Sequence, residues 1–161
     1  MATIHMLIGI PGSGKSTYCK NTLTKNYPHA IFIASDKVRD ANPHLKEEEI
    51  WPEIYRLCVN ALNNDTDIIY DATNITPTVR NRFKNKLAEL NVKEYDMIAY
   101  YFTTDPKICY ERVLLRNTFP NERFLPAEVV LSYGEKIIAP TLDEGFKEII
   151  TINNDEHKTD Y

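Results

Sequence analysis

Residues 8–19 read IGIPGSGKSTYC, and within them Gly9, Gly14, Lys15 and Ser16 satisfy G-x-x-x-x-G-K-[ST], the spacing of a phosphate-cradling loop. Such a loop joins a strand to a helix. Gly12 and Gly14 let the backbone turn through positive φ and approach an anion with no Cβ in the way. The amides from Gly12 through Ser13, Gly14, Lys15, Ser16 and Thr17 then form an inward-facing nest at the positive end of the following helix. Lys15 supplies a mobile cation for the outer phosphates, and Ser16 offers a hydroxyl to Mg²⁺. A plain helix-capping turn would use similar glycines, but the flanks argue for nucleotide binding. TIHMLIGI (3–10) is an apolar, β-branched run, and KSTYCKNTLTKN (15–26) is helix-compatible.

The same alternation continues outward from the loop. Strand patterns fall at 3–9, 30–35, 66–72, 95–102 and 147–153, and helix patterns at 15–26, 46–63, 77–90, 105–117 and 126–137. Near-continuous apolar runs such as DMIAYYF suit strands covered on both faces. The order therefore predicts an α/β three-layer fold, with a five-stranded, mostly parallel sheet, helices on both faces and a helical lid. One domain spans 1–153, and the polar stretch 154–161 is expected to fray.

Composition narrows the function classes. With 161 residues, 43% hydrophobic and 26% charged, the chain suits one soluble domain with a full core. No apolar run approaches membrane-spanning length and no leader pattern opens the chain, so no membrane partner is expected and the reading is cytoplasmic. The net charge of −4 argues against wrapping long nucleic acid, though not against holding one strand end. Cys19, Cys58 and Cys109 have no C-x-x-C spacing and read as reduced packing residues. His5, His29, His44 and His157 have no metal-ligand spacing.

In an open parallel sheet, ligands bind beyond the carboxyl ends of the strands, which directs attention to the residues following each one. After the second strand comes ASDKVRD, with Asp36 and Arg39 three apart and on one face if a helix begins there. A carboxylate can accept the proton of an attacking hydroxyl while a neighbouring guanidinium anchors a phosphate of the acceptor. After the third strand comes IIYDATN. Asp71 would sit beside the phosphate loop to hold Mg²⁺ and orient Lys15, while Thr73 and Asn74 read equally well as substrate contacts or turn residues. Farther on, ERVLLRNTFPNERFLP carries Arg112, Arg116 and Arg123; Arg116 and Arg123 suit a flap closing over a triphosphate.

Two further stretches are ambiguous. Arg80, Arg82, Lys84 and Lys86 read as a solvated stripe of one helix, from which one arginine could meet a nucleic acid backbone. Trp51 and Tyr55 are four apart and suit core packing more than base stacking.

Taken together, GIPGSGKST, SDKVR, YDATN and RNTFPNERFLP resemble the kinase domain of phage and bacterial polynucleotide kinases, over residues 4 to about 153. The resemblance implies an ATP- and Mg²⁺-dependent kinase acting on a 5′-hydroxyl nucleic acid end. By position it implies Lys15 and Ser16 at the β- and γ-phosphates and the metal, Asp36 as general base, and Arg39 on the acceptor phosphate. Asp71 would order the site, Arg116 and Arg123 would be lid arginines, and Leu125 would pack against the terminal base. The sequence given ends without the phosphatase domain found beside such kinases, so 3′-phosphate healing is not expected. Alternatives within reach of the same residues are a kinase of a small hydroxyl compound or of a hydroxymethylated base, and a toxin-like or regulatory nucleotide-binding module.

Overall fold

A computed structural model describes residues 1–156. His157 and the rest of the 157–161 tail lie outside the described residues. Five strands, β1 (Thr3–Ile8), β2 (Ile31–Ala34), β3 (Ile68–Asp71), β4 (Asp96–Phe102) and β5 (Glu148–Ile152), form one sheet in the order β2-β3-β1-β4-β5. Every pairing is parallel. The central strand β1 alternates strictly. Ile4, Met6 and Ile8 enter one core with Ile54, Cys58, Phe83 and Leu87, while Leu7 faces the opposite layer with Cys19, Leu23 and Tyr100. Both faces are therefore covered, which is why the strands read as nearly continuous apolar runs.

Helices fill the two layers. Residues 15–26 run as α1 (Lys15–Tyr18), a π-helical turn (Cys19–Leu23) and α2 (Thr24–Asn26). Then come α3 (Ser35–Ala41), α4 (Glu47–Asn63), α5 (Pro77–Glu89), α6 (Pro106–Arg116) and α7 (Glu128–Lys136). Local chemistry sets several starts. Thr76 Oγ1 accepts from the Val79 amide at 3.3 Å and an Asp105 carboxylate oxygen accepts from the Lys107 amide at 2.9 Å, each cap followed by a proline at the first helical position. The short helix α3 is the element that apolar periodicity alone passes over, because Val38 is its one buried residue.

The structure corrects two expectations here. Arg80 does not belong to a solvated stripe: it is 1% exposed, with its Nε 2.7 Å from a Glu144 carboxylate oxygen. Glu144 arrives from a 3-10 turn (Leu142–Glu144) far along the chain, and its carbonyl also accepts from Lys84. Burial, the largest single influence, works to raise the Glu144 carboxyl, but the hydrogen bonds from Arg80 and Thr141 and the Arg80 charge together hold the group below its ordinary value. The tail is also anchored at its start rather than frayed from 154. Arg112 donates to the Asn154 carbonyl at 2.6 Å, and an Asp155 carboxylate oxygen accepts from the Asp105 amide at 2.8 Å.

Candidate active site

The carboxyl ends of β1, β2 and β3 open onto a cleft of about 440 Å³. The loop after β1 has the conformation that its glycines allow: φ is 82° at Gly12 and 100° at Gly14. A Cβ at Gly12 would come within 2.7 Å of the Cys109 carbonyl oxygen, and one at Gly14 would overlap the Asn154 amide. The loop is thus gripped from behind by α6 and by the segment after β5. Arg112 ties these parts together, donating to the Gly12 carbonyl at 3.1 Å and to Asn154. Thr104 adds a hydrogen bond to the Ser13 carbonyl at 2.8 Å and a contact to Asn154.

Lys15 lies across the mouth of this loop, its Nζ donating to the Gly9 carbonyl at 2.6 Å and to that of Ile10 at 3.3 Å. Burial pushes its ammonium pKa down, opposed chiefly by the charge of Asp71. Asp71, the last residue of β3, is pushed up by burial and opposed by Lys15. The two groups form an electrostatic couple at the cleft floor. Two buried polar atoms lining the same cleft, the Ser13 hydroxyl and Arg116 Nε, have no hydrogen-bond partner among the described residues. Orphaned buried donors are costly unless a ligand satisfies them. Ser16, at the start of α1, and Asp71 also line this cleft, so a hydroxyl and a carboxylate suited to Mg²⁺ border the phosphate cradle.

The opposite wall comes from α3. Asp36 and Arg39, one turn apart, form an ion pair with Oδ1 2.8 Å from Nη1. Arg39 is fixed further by a two-pronged contact with Glu47 at 3.0 and 2.7 Å, and its guanidinium lies 5.7 Å from the Trp51 ring centroid. The Glu47 hydrogen bond is the main cause of the raised Arg39 pKa. Arg123, in the irregular segment between α6 and α7, reaches across to α3. Its Nη1 is 2.7 Å from Asp40 and its Nε 3.7 Å from Asp36 Oδ1. Leu125 lines the cleft on the same side, its backbone bracketed by the Asn117 amide at 2.7 and 3.1 Å.

Gly12, Ser13, Gly14, Lys15, Ser16, Thr17, Asp36, Arg39, Asp71, Thr73, Arg116, Arg123 and Leu125 therefore border one cleft. Asn74 is different. Its side chain is 2% exposed and donates to the Leu7 carbonyl at 2.9 Å, and its own carbonyl accepts from Arg80. With φ at 49° it stitches β3 to β1, which is the turn-residue alternative. Thr73 contributes a carbonyl to the Gly9 amide at 3.1 Å. Sequence reasoning missed the supporting roles of Glu47, Arg112, Thr104 and Asn154. Arg112 and Asn154 lie 42 residues apart, and no local pattern signals such a contact.

Comparison with known proteins agrees with this architecture. A family model described as an AAA domain matches residues 4–137. Transcription factor bHLH140 of Arabidopsis thaliana is 23% identical over 154 residues, covering 94% of this chain and 16% of that protein, so the chain spans under a fifth of its length. A fungal RNA kinase structure superposes with a TM-score of 0.68 at 19% identity, over 93% of this chain and 38% of that one. A gluconokinase from Sinorhizobium meliloti 1021 gives 0.56 at 15% identity, over 94% and 82%. At these identities the likeness is one of fold, that of P-loop kinases.

Proposed function

The chain belongs to the AAA-domain family, and we propose that it is an ATP- and Mg²⁺-dependent kinase that phosphorylates the 5′-hydroxyl end of a nucleic acid strand. The observation that supports this most is the Asp36–Arg39 pair lining the same cleft as Lys15. The pair sets a carboxylate and an oriented guanidinium across from the phosphate loop. An acceptor with a hydroxyl next to a phosphate needs both.

In this mechanism the loop amides, Lys15 and Arg116 hold the β- and γ-phosphates. Ser16 and Asp71 would hold Mg²⁺, which supplies charge neutralisation across those phosphates. Arg39, fixed by Glu47, grips the phosphate on the 3′ side of the acceptor sugar. Both arginine contacts to Asp36 fall on Oδ1, which leaves Oδ2 as the oxygen that would accept from the acceptor hydroxyl. As the hydroxyl oxygen bonds to the γ-phosphorus, the bond to the β,γ-bridging oxygen breaks and ADP leaves. The hydroxyl proton passes to Asp36 and then to solvent. Arg123 closes the acceptor side and shields the transferring group from water.

A second reading, phosphorylation of a small hydroxyl compound, is favoured by cleft volume, since about 440 Å³ suits a small molecule. An acceptor panel separates the two. With γ-labelled ATP and Mg²⁺, label should appear on a 5′-hydroxyl oligonucleotide, not on its 5′-phosphorylated twin, and not on free sugars or polyols. Label on a polyol alone would move the assignment to the second reading.

A further inference from the structure

A second cleft, of about 970 Å³, opens between α4 and α5. It is not isolated from the first. Trp51, Ala72 and Thr73 border both, so the two clefts adjoin at these residues, next to Asp36 and Arg39 on the first cleft's side.

This second cleft has a polar rim. Beneath it lies a buried ring stack of the core, with Tyr70 and Phe83 centroids 4.3 Å apart at 13° and Tyr55 beside Phe83 at 5.9 Å, which shapes the cleft but offers little ring surface to a ligand. Half-buried Trp51 stands at the entrance. On the rim, Arg82 and Lys86 are one turn apart on α5 and share a face. Their neighbours Arg80 and Lys84 face the other way and are committed to Glu144. The basic stripe of α5 is therefore two pairs, and only one is structural. Arg82 makes no ion pair among the described residues, and Lys86 makes a long, exposed one of 3.4 Å to Glu89.

We propose that this cleft takes the nucleotides on the 3′ side of the acceptor, making the protein a single-strand kinase that prefers a chain over a mononucleotide. This rests on the reading of the acceptor as a nucleic acid end. Once Arg39 holds the first phosphate, the strand continues past the Trp51 indole, and the next phosphates meet Arg82 and Lys86. The half-buried Trp51 ring beside paired cations is the chemistry that holds single strands without reading their sequence.

The test compares kcat/KM for three 5′-hydroxyl acceptors: a nucleoside 3′-monophosphate, a dinucleotide carrying a 3′-phosphate, and a tetranucleotide. The tetranucleotide should exceed the monophosphate by at least about fivefold, the low end of base stacking on protein aromatics. In Arg82→Ala/Lys86→Ala that ratio should fall, because the phosphate contacts that draw the strand past Trp51 are gone. The salt dependence of log KM for the tetranucleotide should also flatten by about 1.4, the loss of two single-strand phosphate contacts, which a structural role would not produce. Trp51, the sole tryptophan, reports binding independently: its fluorescence should titrate at lower concentration with tetranucleotide than with monophosphate. Equal kcat/KM at every length, or a length preference and salt slope untouched in the double variant, overturns the inference while leaving the proposed function standing. Absence of transfer to all three acceptors overturns the proposed function, and this inference with it.

Discussion

Individual residues divide into those proposed to touch the ligand and those that hold such groups in place, and the two kinds differ in how they appear in sequence. Lys15, Ser16, Asp36 and Asp71 were readable because their spacing or strand-end position is dictated by phosphate chemistry. Glu47, Arg112 and Asn154 were not, since each acts through a partner distant in the chain or exposed in composition alone. Gly14 links both kinds. At φ 100° a side chain is strained by about 1–3 kcal/mol, and its Cβ would drive into Asn154. Gly14→Ala should accordingly lower both Tm and ATP affinity, as read by calorimetric melting and titration. A variant with unchanged Kd and Tm would mean that the Asn154 contact does not brace the loop. Lys15→Ala should weaken ATP binding and transfer together, and an unchanged ATP Kd would remove the lysine from the phosphate site.

At the level of elements, apolar periodicity recovered all five strands and the long helices but not α3, a helix of seven residues with one buried side chain. That omission matters because α3 carries Asp36 and Arg39. The α5 stripe shows a related limit: sequence spacing defines which cations share a face, not which face meets a carboxylate from the 3-10 turn. The Arg80–Glu144 pair is buried on the arginine side at 1% exposure and 9% on the other. Removing one partner leaves a buried charge unpaired, at a cost of about 3–5 kcal/mol. Arg80→Ala should show that loss in urea denaturation, whereas Arg82→Ala on the exposed side should change stability little. Equal effects of the two would contradict the division of the stripe.

For the whole molecule, the parallel order β2-β3-β1-β4-β5 brings the ends of β1, β2 and β3 together, so residues 15, 36 and 71 meet although they are scattered in sequence. The fold class was legible from strand and helix alternation alone, but the placing of a second cleft against the first at Trp51, Ala72 and Thr73 was not. The fold also sets an acid limit. His5 sits fully buried in β1, its Nδ1 2.8 Å from the Tyr100 hydroxyl and its ring against Tyr27, and burial lowers its pKa below the ordinary 6.5. The unfolded chain then binds a proton that the folded one resists, so stability should fall as pH drops below about 6.5 toward the folded pKa. Glu144, held low, adds a further loss below about 4.5. Tm measured from pH 7.5 to 5.5 should decline in the wild type and decline less in His5→Gln. Parallel profiles would remove His5 as the cause.

The central claim is that a hydroxyl end attacks the γ-phosphate with Asp36 taking its proton. Single-turnover transfer of labelled γ-phosphate to a 5′-hydroxyl tetranucleotide, run side by side for the wild type and Asp36→Ala with ATP affinity measured in parallel, addresses it most directly. The account predicts label on the strand with the wild type, a rate about 10²–10⁴-fold lower in the variant, and an unchanged ATP Kd. Equal rates in the two proteins, or no label on the strand from the wild type, would contradict it.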